Sequence, residues 1–236
     1  AQAIRFLSAQ TATMQTVGLF HLLRAQARVG QWSRAFATAA KSPSDAGLLW
    51  APGGAAEDAA ASTRNLAGRV ARTVAKASET EPALACEVAA KGKVAVSNAL
   101  LALAKTSQLP VPTVEFTARF AMDKEEHWHV RFSAHCGATW SEFKERTRAL
   151  RSSDTSLVVT PTSSANALAR AVVSGVAKHG LVRMRLNAQN TLVLSNAARA
   201  LASLSSVAKS PELREGLRSV ASETQDGRLV YVEVFK

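Results

Sequence analysis

The chain has 236 residues, 47% of them hydrophobic, enough to bury one sizeable core or two small ones of roughly 100 residues each. Lysine and arginine outnumber aspartate and glutamate 29 to 18, and the resulting +11 charge suits a polyanionic partner. Two cysteines, Cys86 and Cys136, form neither a C-x-x-C pair nor a disulfide framework; both read as buried thiols in a reducing compartment.

Residues 1–46 differ from the remainder. They carry Arg5, Arg24, Arg28, Arg34 and Lys41 with no acidic residue before Asp45, and they are rich in Ala, Ser and Thr. That is the composition of an organellar transit peptide, so a basic arm and a mitochondrial matrix location, in preference to a plastid one, are expected. The lack of an initiator Met at position 1 implies a chain already truncated, processed or edited. No window approaches the ~20 apolar residues of a spanning helix, so no membrane insertion is expected.

A strand is expected over GLLWAPGG (47–54), followed by a helix over 62–78 whose outward residues include Arg64, Arg69, Arg72 and Lys76. PALACEVAA (82–90) reads as a second strand. The basic, glycine-containing turn Ala90-Lys91-Gly92-Lys93 then opens a helix over 93–107. TVEFTARFAM and HWHVRFSAHC make a hairpin around Asp123-Lys124-Glu125-Glu126. Alternation along the second of these strands puts His127, His129, Arg131, Ser133 and His135 on one face, read as an exposed polar face. A zinc pair at His127 and His129 is disfavoured, because no further ligand of recognised spacing is visible and Arg131 lies among them. The linker 137–155 is expected to form a short amphipathic helix around Phe143, Thr147 and Leu150.

The same order then returns. SLVVTPTS (156–163) is a strand ended by Pro161, and residues 164–180 are a helix with an Ala167, Leu168, Ala171, Val172, Val176 stripe, stopped by Gly180. LVRMRLN (181–187) is a strand with Leu181, Arg183 and Arg185 on one face, followed by a helix over 190–206. After Pro211, two strands flank the Asp226-Gly227 step, a tight hairpin signal. The repetition is literal in places: VAVSNALLALAKTS from Val94 and LVLSNAARALASLSS from Leu192 share Ser-Asn-Ala and Ala-Leu-Ala at one shift, Ser97 falling on Ser195. A duplication is therefore expected.

Each copy, 47–136 and 156–236, reads as a β-α-β-α-β-β unit of the α/β (α+β sandwich) class. This pattern resembles the Alba superfamily, and most closely its Stage V sporulation protein S branch. The likeness rests on a strand ending in a Ser/Thr/Pro loop, an Ala/Val-rich first helix, a short strand, and an Ala-rich second helix opened by a small-residue turn. It implies two tandem Alba-like domains, nucleic-acid binding through the loops and the hairpin, and an internal pseudo-dimer of the two copies. Where family members that bind nucleic acid tend to be basic at the hairpin, this chain has Asp123, Glu125 and Glu126 in one and Glu223 and Asp226 in the other.

Candidate phosphate contacts are Lys91 and Lys93, the helical Arg64, Arg69, Arg72 and Lys76, the strand residues Arg183 and Arg185, and Arg24, Arg28 and Arg34 of the arm. The chain has no G-x-G-x-x-G after a strand, no Walker loop, no G-x-S-x-G and no H-E-x-x-H, and no cofactor is implied. Asn98 and Asn196 read as helix-capping residues rather than catalysts. The expected function is non-enzymatic RNA binding, with ribosomal RNA foremost, in a mitochondrial ribosome or related ribonucleoprotein. The competing expectation is a structural accessory subunit of a mitochondrial membrane or metabolic complex, docking through an apolar outer face of Leu229, Tyr231 and Phe235.

Overall fold

The computed structural model describes residues 48–53, 56–80, 86–150 and 155–236. In chain order the elements are β1 (Leu48–Trp50), α1 (Ala56–Thr80), β2 (Cys86–Ala90), α2 (Gly92–Lys105), β3 (Val114–Met122), β4 (Trp128–Cys136), α3 (Trp140–Arg148), β5 (Ser156–Val158), α4 (Ala165–His179), β6 (Leu181–Asn187), α5 (Thr191–Val207), α6 (Pro211–Gly216), β7 (Arg218–Glu223) and β8 (Leu229–Phe235). A 3-10 turn, Thr106–Gln108, extends α2. The expected order of elements is thus found in both halves, with the short helix α6 added after Pro211. No described helix is long and apolar enough to cross a membrane.

The eight strands form one sheet in the order β1-β2-β4-β3-β7-β8-β6-β5. Read from either edge the pattern is the same. Each edge strand runs parallel to its neighbour, as a strand-helix-strand crossover requires, and each half closes on an antiparallel hairpin. The halves meet where β3 and β7 pair antiparallel, Glu115 opposite Val220 and Phe116 opposite Ser219.

Alternation decides what each face of the sheet meets. Val88, Phe116, Phe132, Met184, Val232 and their same-face neighbours join Leu66, Val70, Leu100, Leu103, Val172, Leu194 and Leu201 from α1, α2, α4 and α5 in a single buried core drawn from both halves. A domain of one helical layer on one sheet follows. The helix α4 comes close to the sheet at Gly175, where an added Cβ would run into Val182. It ends on Gly180, whose φ of 78° is the left-handed stop the sequence anticipates. Of the expected α4 stripe, Leu168, Val172 and Val176 are buried while Ala167 and Ala171 face outward and Ala169 takes their place.

The linker helix α3 lies on the opposite face. Thr139 and Glu142 form a reciprocal capping box, and Phe143 is fully buried with Leu181, Val220 and Phe235. Arg146 sits 4.9 Å above the Phe235 ring and reaches Glu115 of β3 at 3.4 Å. The helix therefore straddles the seam between the halves rather than spacing them apart. Phe143 and Thr147 are its buried residues, whereas Leu150 falls beyond its end and is exposed.

On the helical face, α2 and α5 pack against each other across the same seam. Ser97 of α2 is buried at this contact, and a side chain this small lets two helix axes approach closely. The Ser97 hydroxyl is shared between two carbonyls at 2.8 Å, Lys93 of its own helix and Thr191 of α5, the second joining the two copies of the repeated helix. Replacing Ser97 by Leu should lower unfolding stability by about 2 kcal/mol through overpacking, and by Ala only by about 1 kcal/mol through loss of the hydrogen bond, in urea denaturation of the purified chain. Equal stability of the Leu variant and the parent would contradict the close approach.

Candidate nucleic-acid interface

The seam also shapes a cleft. At the end of β2 the chain turns through Lys91, in extended conformation, and Gly92, whose φ of 83° favours glycine, into α2. The N-terminus of α2 has no side-chain cap. The root of the β3-β4 hairpin contributes Phe120, Trp128, His129 and Val130, and α5 of the other half contributes Ser195 and Arg199. Together with Ala90, Gly92, Lys93 and Val96 they line a cleft of about 200 Å³. Its mouth is cationic: Lys93 and Arg199 are exposed, and among the described residues neither takes part in an ion pair. Trp128 is 51% exposed.

The repeated asparagines hold the neighbouring loops in place. Asn98 Nδ2 donates to the Pro52 carbonyl at 2.8 Å, and Asn196 Nδ2 donates to the Pro161 and Ser163 carbonyls at 3.3 and 3.1 Å. Neither is a helix cap. Both sit inside their helices and fasten the loop that follows the edge strand, one role served twice, which accounts for the identity of these positions in the two copies.

Several expected contacts are engaged elsewhere. Lys91 is exposed but lies 3.7 Å from Asp123. The Asp123 carboxyl is held below its ordinary range, first by the His127 backbone N–H, so it is ionised at neutral pH and offsets the Lys91 charge. Arg183 pairs with Glu233 at 3.6 Å and lies over the Tyr231 ring at 3.8 Å, while Arg185 remains exposed on the same strand. Arg64, Arg69, Arg72 and Lys76 are exposed along the outer side of α1, and none lines the cleft. Arg24, Arg28 and Arg34 lie outside the described residues.

The polar face of β4 is not exposed. His129 is 3% and Arg131 8% exposed. Arg131 pairs with Glu87 of β2 at 3.0 Å, and that carboxylate also accepts from Arg119 at 2.9 Å, so cross-strand charge pairing occupies the face opposite the helices. His127 belongs to the turn beside Asp123 and Glu125, whereas His129 lies against Trp50, ring centroids 5.6 Å apart. The apolar outer face also closes: Phe235 is buried under α3, and Tyr231 lies under Arg183. Glu223 is not a hairpin-tip acid but a buried partner of Lys105, and Asp226 shapes its turn by accepting from Thr224 and Arg228. Of the cysteines, Cys86 is buried, which raises its thiol to about 11, but Cys136 is exposed.

Sequence reasoning missed Trp128, Phe120, Ser195 and Arg199. A signal for the last was present: within the Ser-Asn-Ala to Ala-Leu-Ala register, Arg199 stands where the first copy has Leu101. Compared with protein-family models, with curated proteins and with solved structures, the chain matches none.

Burial, then the Arg131 charge, holds the His129 imidazole below its ordinary value of 6.5, and burial then Arg218 does the same for His135. Both stay neutral in the folded protein at pH 7. The unfolded chain takes up these protons first, so stability is complete above 6.5 and falls as pH drops through that value toward the lower folded-state one. Thermal melts between about pH 7 and pH 5 should show this loss, with a shallower slope for His129→Leu. An unchanged slope in that variant would remove His129 from the account.

Proposed function

We propose that this chain is a non-enzymatic RNA-binding protein of Alba-like type, its two copies paired within one molecule, acting in a mitochondrial ribonucleoprotein and foremost in a mitochondrial ribosome. The observation that carries this reading is the cleft at the seam, where Lys93 from one half and Arg199 from the other stand beside the exposed ring of Trp128. Two cations and an aromatic face suit a phosphate with an adjacent base. The +11 charge favours the same partner, and the exposed basic side of α1 adds contacts that would be blind to sequence. The mirrored strand order supports the pseudo-dimer that the Alba likeness implies.

A second reading, a scaffold subunit docking to other proteins, draws on the two outer edges of the sheet. The short strands β1 and β5 leave Trp50 and Val158 at 51% and 69% exposure, and apolar side chains on an open edge favour protein partners. Sedimentation of the native protein from an organelle extract separates the readings. Ribonuclease should shift it from a heavy particle to a light fraction. A particle that stays heavy after ribonuclease, with protein subunits alone, would overturn RNA binding and favour the scaffold.

A further inference from the structure

Duplication should give two clefts, yet the two halves treat this place differently. The strand registers and the repeated helix give the counterparts. Ala90 and Leu186 occupy matching places, opposite Val130 and Val230. The Ser97–Ser195 match places Lys93 on Thr191, Val96 on Leu194 and Arg199 on Leu101. Counting outward from the seam pair Phe116–Ser219, Phe120 corresponds to Glu223.

Three differences follow, all in one direction. At the counterpart place Leu186, Leu194 and Leu101 stand for Ala90, Val96 and Arg199, and Thr191 stands for Lys93, so larger apolar side chains replace small ones and both cleft cations are lost. Glu223, standing where the first half has Phe120, is bridged by Lys105 at 2.9 and 2.7 Å and by Gln108 at 3.2 Å, and its side chain is only 4% exposed. The N-terminus of α5 is already capped, with Asn190 Oδ1 accepting from the N–H groups of Leu192 and Val193 at 3.1 Å each. In the first half that helix start lacks a side-chain cap, the charge pair is absent and the cleft is open. Ser97 bonds across the seam, whereas among the described residues the Ser195 hydroxyl on the cleft wall makes no corresponding bond.

We propose that the open cleft is a seat for one nucleotide of a single-stranded RNA, one seat per chain, with phosphate held between Lys93 and Arg199 and the base laid against Trp128. This deepens the RNA-binding reading and rests on it. The volume, about 200 Å³, is below the usual range of pockets for drug-sized ligands and suits a single base with its sugar. Cations contributed by both halves make the seat a product of the pairing: neither copy alone has it. Backbone N–H groups at the uncapped start of α2 add donors suited to an anion. The closed counterpart makes binding polar, so a strand crosses the molecule in one direction rather than symmetrically about the seam.

Fluorescence anisotropy of the purified chain with a fluorescein-labelled single-stranded RNA of about six nucleotides tests this. One RNA should bind per chain, quenching tryptophan emission. Lys93→Ala, Arg199→Ala and Trp128→Ala should each weaken binding about tenfold, while Lys144→Ala, exposed on α3 across the sheet, changes it less than about twofold. The three side chains are exposed, and circular dichroism checks that each variant folds. Two RNAs per chain, or undiminished binding by all three variants, would overturn the seat while leaving RNA binding in place. Absence of binding by the parent chain would overturn both. Competition by a free mononucleotide as strong as by the oligomer would make it a small-molecule site and overturn the strand assignment.

Discussion

Two alanine-rich helices lie close enough for a serine hydroxyl on one to reach the carbonyl that opens the other. That contact, Ser97 to Thr191, belongs to a seam whose strand pairing covers only two residue pairs. So short a ladder could not by itself hold two halves together against chain entropy. The remaining attachment is burial, from the small faces of α2 and α5 on one side of the sheet and Phe143 of α3 on the other. A larger side chain at Ser97 would separate the helices, and with them Lys93 from Arg199.

Pairing in this way frees the two copies to diverge. A homodimer must present the same site twice, because one sequence makes both surfaces. A tandem duplication is under no such constraint, and here the counterpart of the cleft carries leucines and a part-buried ion pair. Lys105 and Glu223 come from opposite halves, so the closure of one cleft also fastens the seam. Breaking such a pair by removing one member leaves a desolvated charge, an effect on the order of 3 kcal/mol. The open cleft has no equivalent fastening.

Much of the fold was legible in the sequence because periodicity, glycine stops and turn signals agree locally. Gly180, the Asp226-Gly227 step and the Ala-rich repeat each point to the element found, and the order β-α-β-α-β-β follows twice. What alternation could not say was which face of the sheet would be covered. The His129 and Arg131 side looks solvent-facing, yet cross-strand pairing with Glu87 and packing against Trp50 bury it. The site was legible only in part. Lys93 is visible as part of a basic glycine turn, but its partner Arg199 is 106 positions away, and only the seam brings them together. Single residues such as Arg183 look available in sequence and prove engaged, because nothing local announces Glu233 and Tyr231.

Everything above depends on the two halves being one cooperative body. Scanning calorimetry of residues 46–236, the compact unit that holds all eight strands, is the direct measurement. A single transition whose van't Hoff enthalpy equals the calorimetric enthalpy is the predicted result. Two transitions, or a van't Hoff enthalpy near twice the calorimetric value from association of separate chains, would contradict an intramolecular seam, and with it the composite cleft.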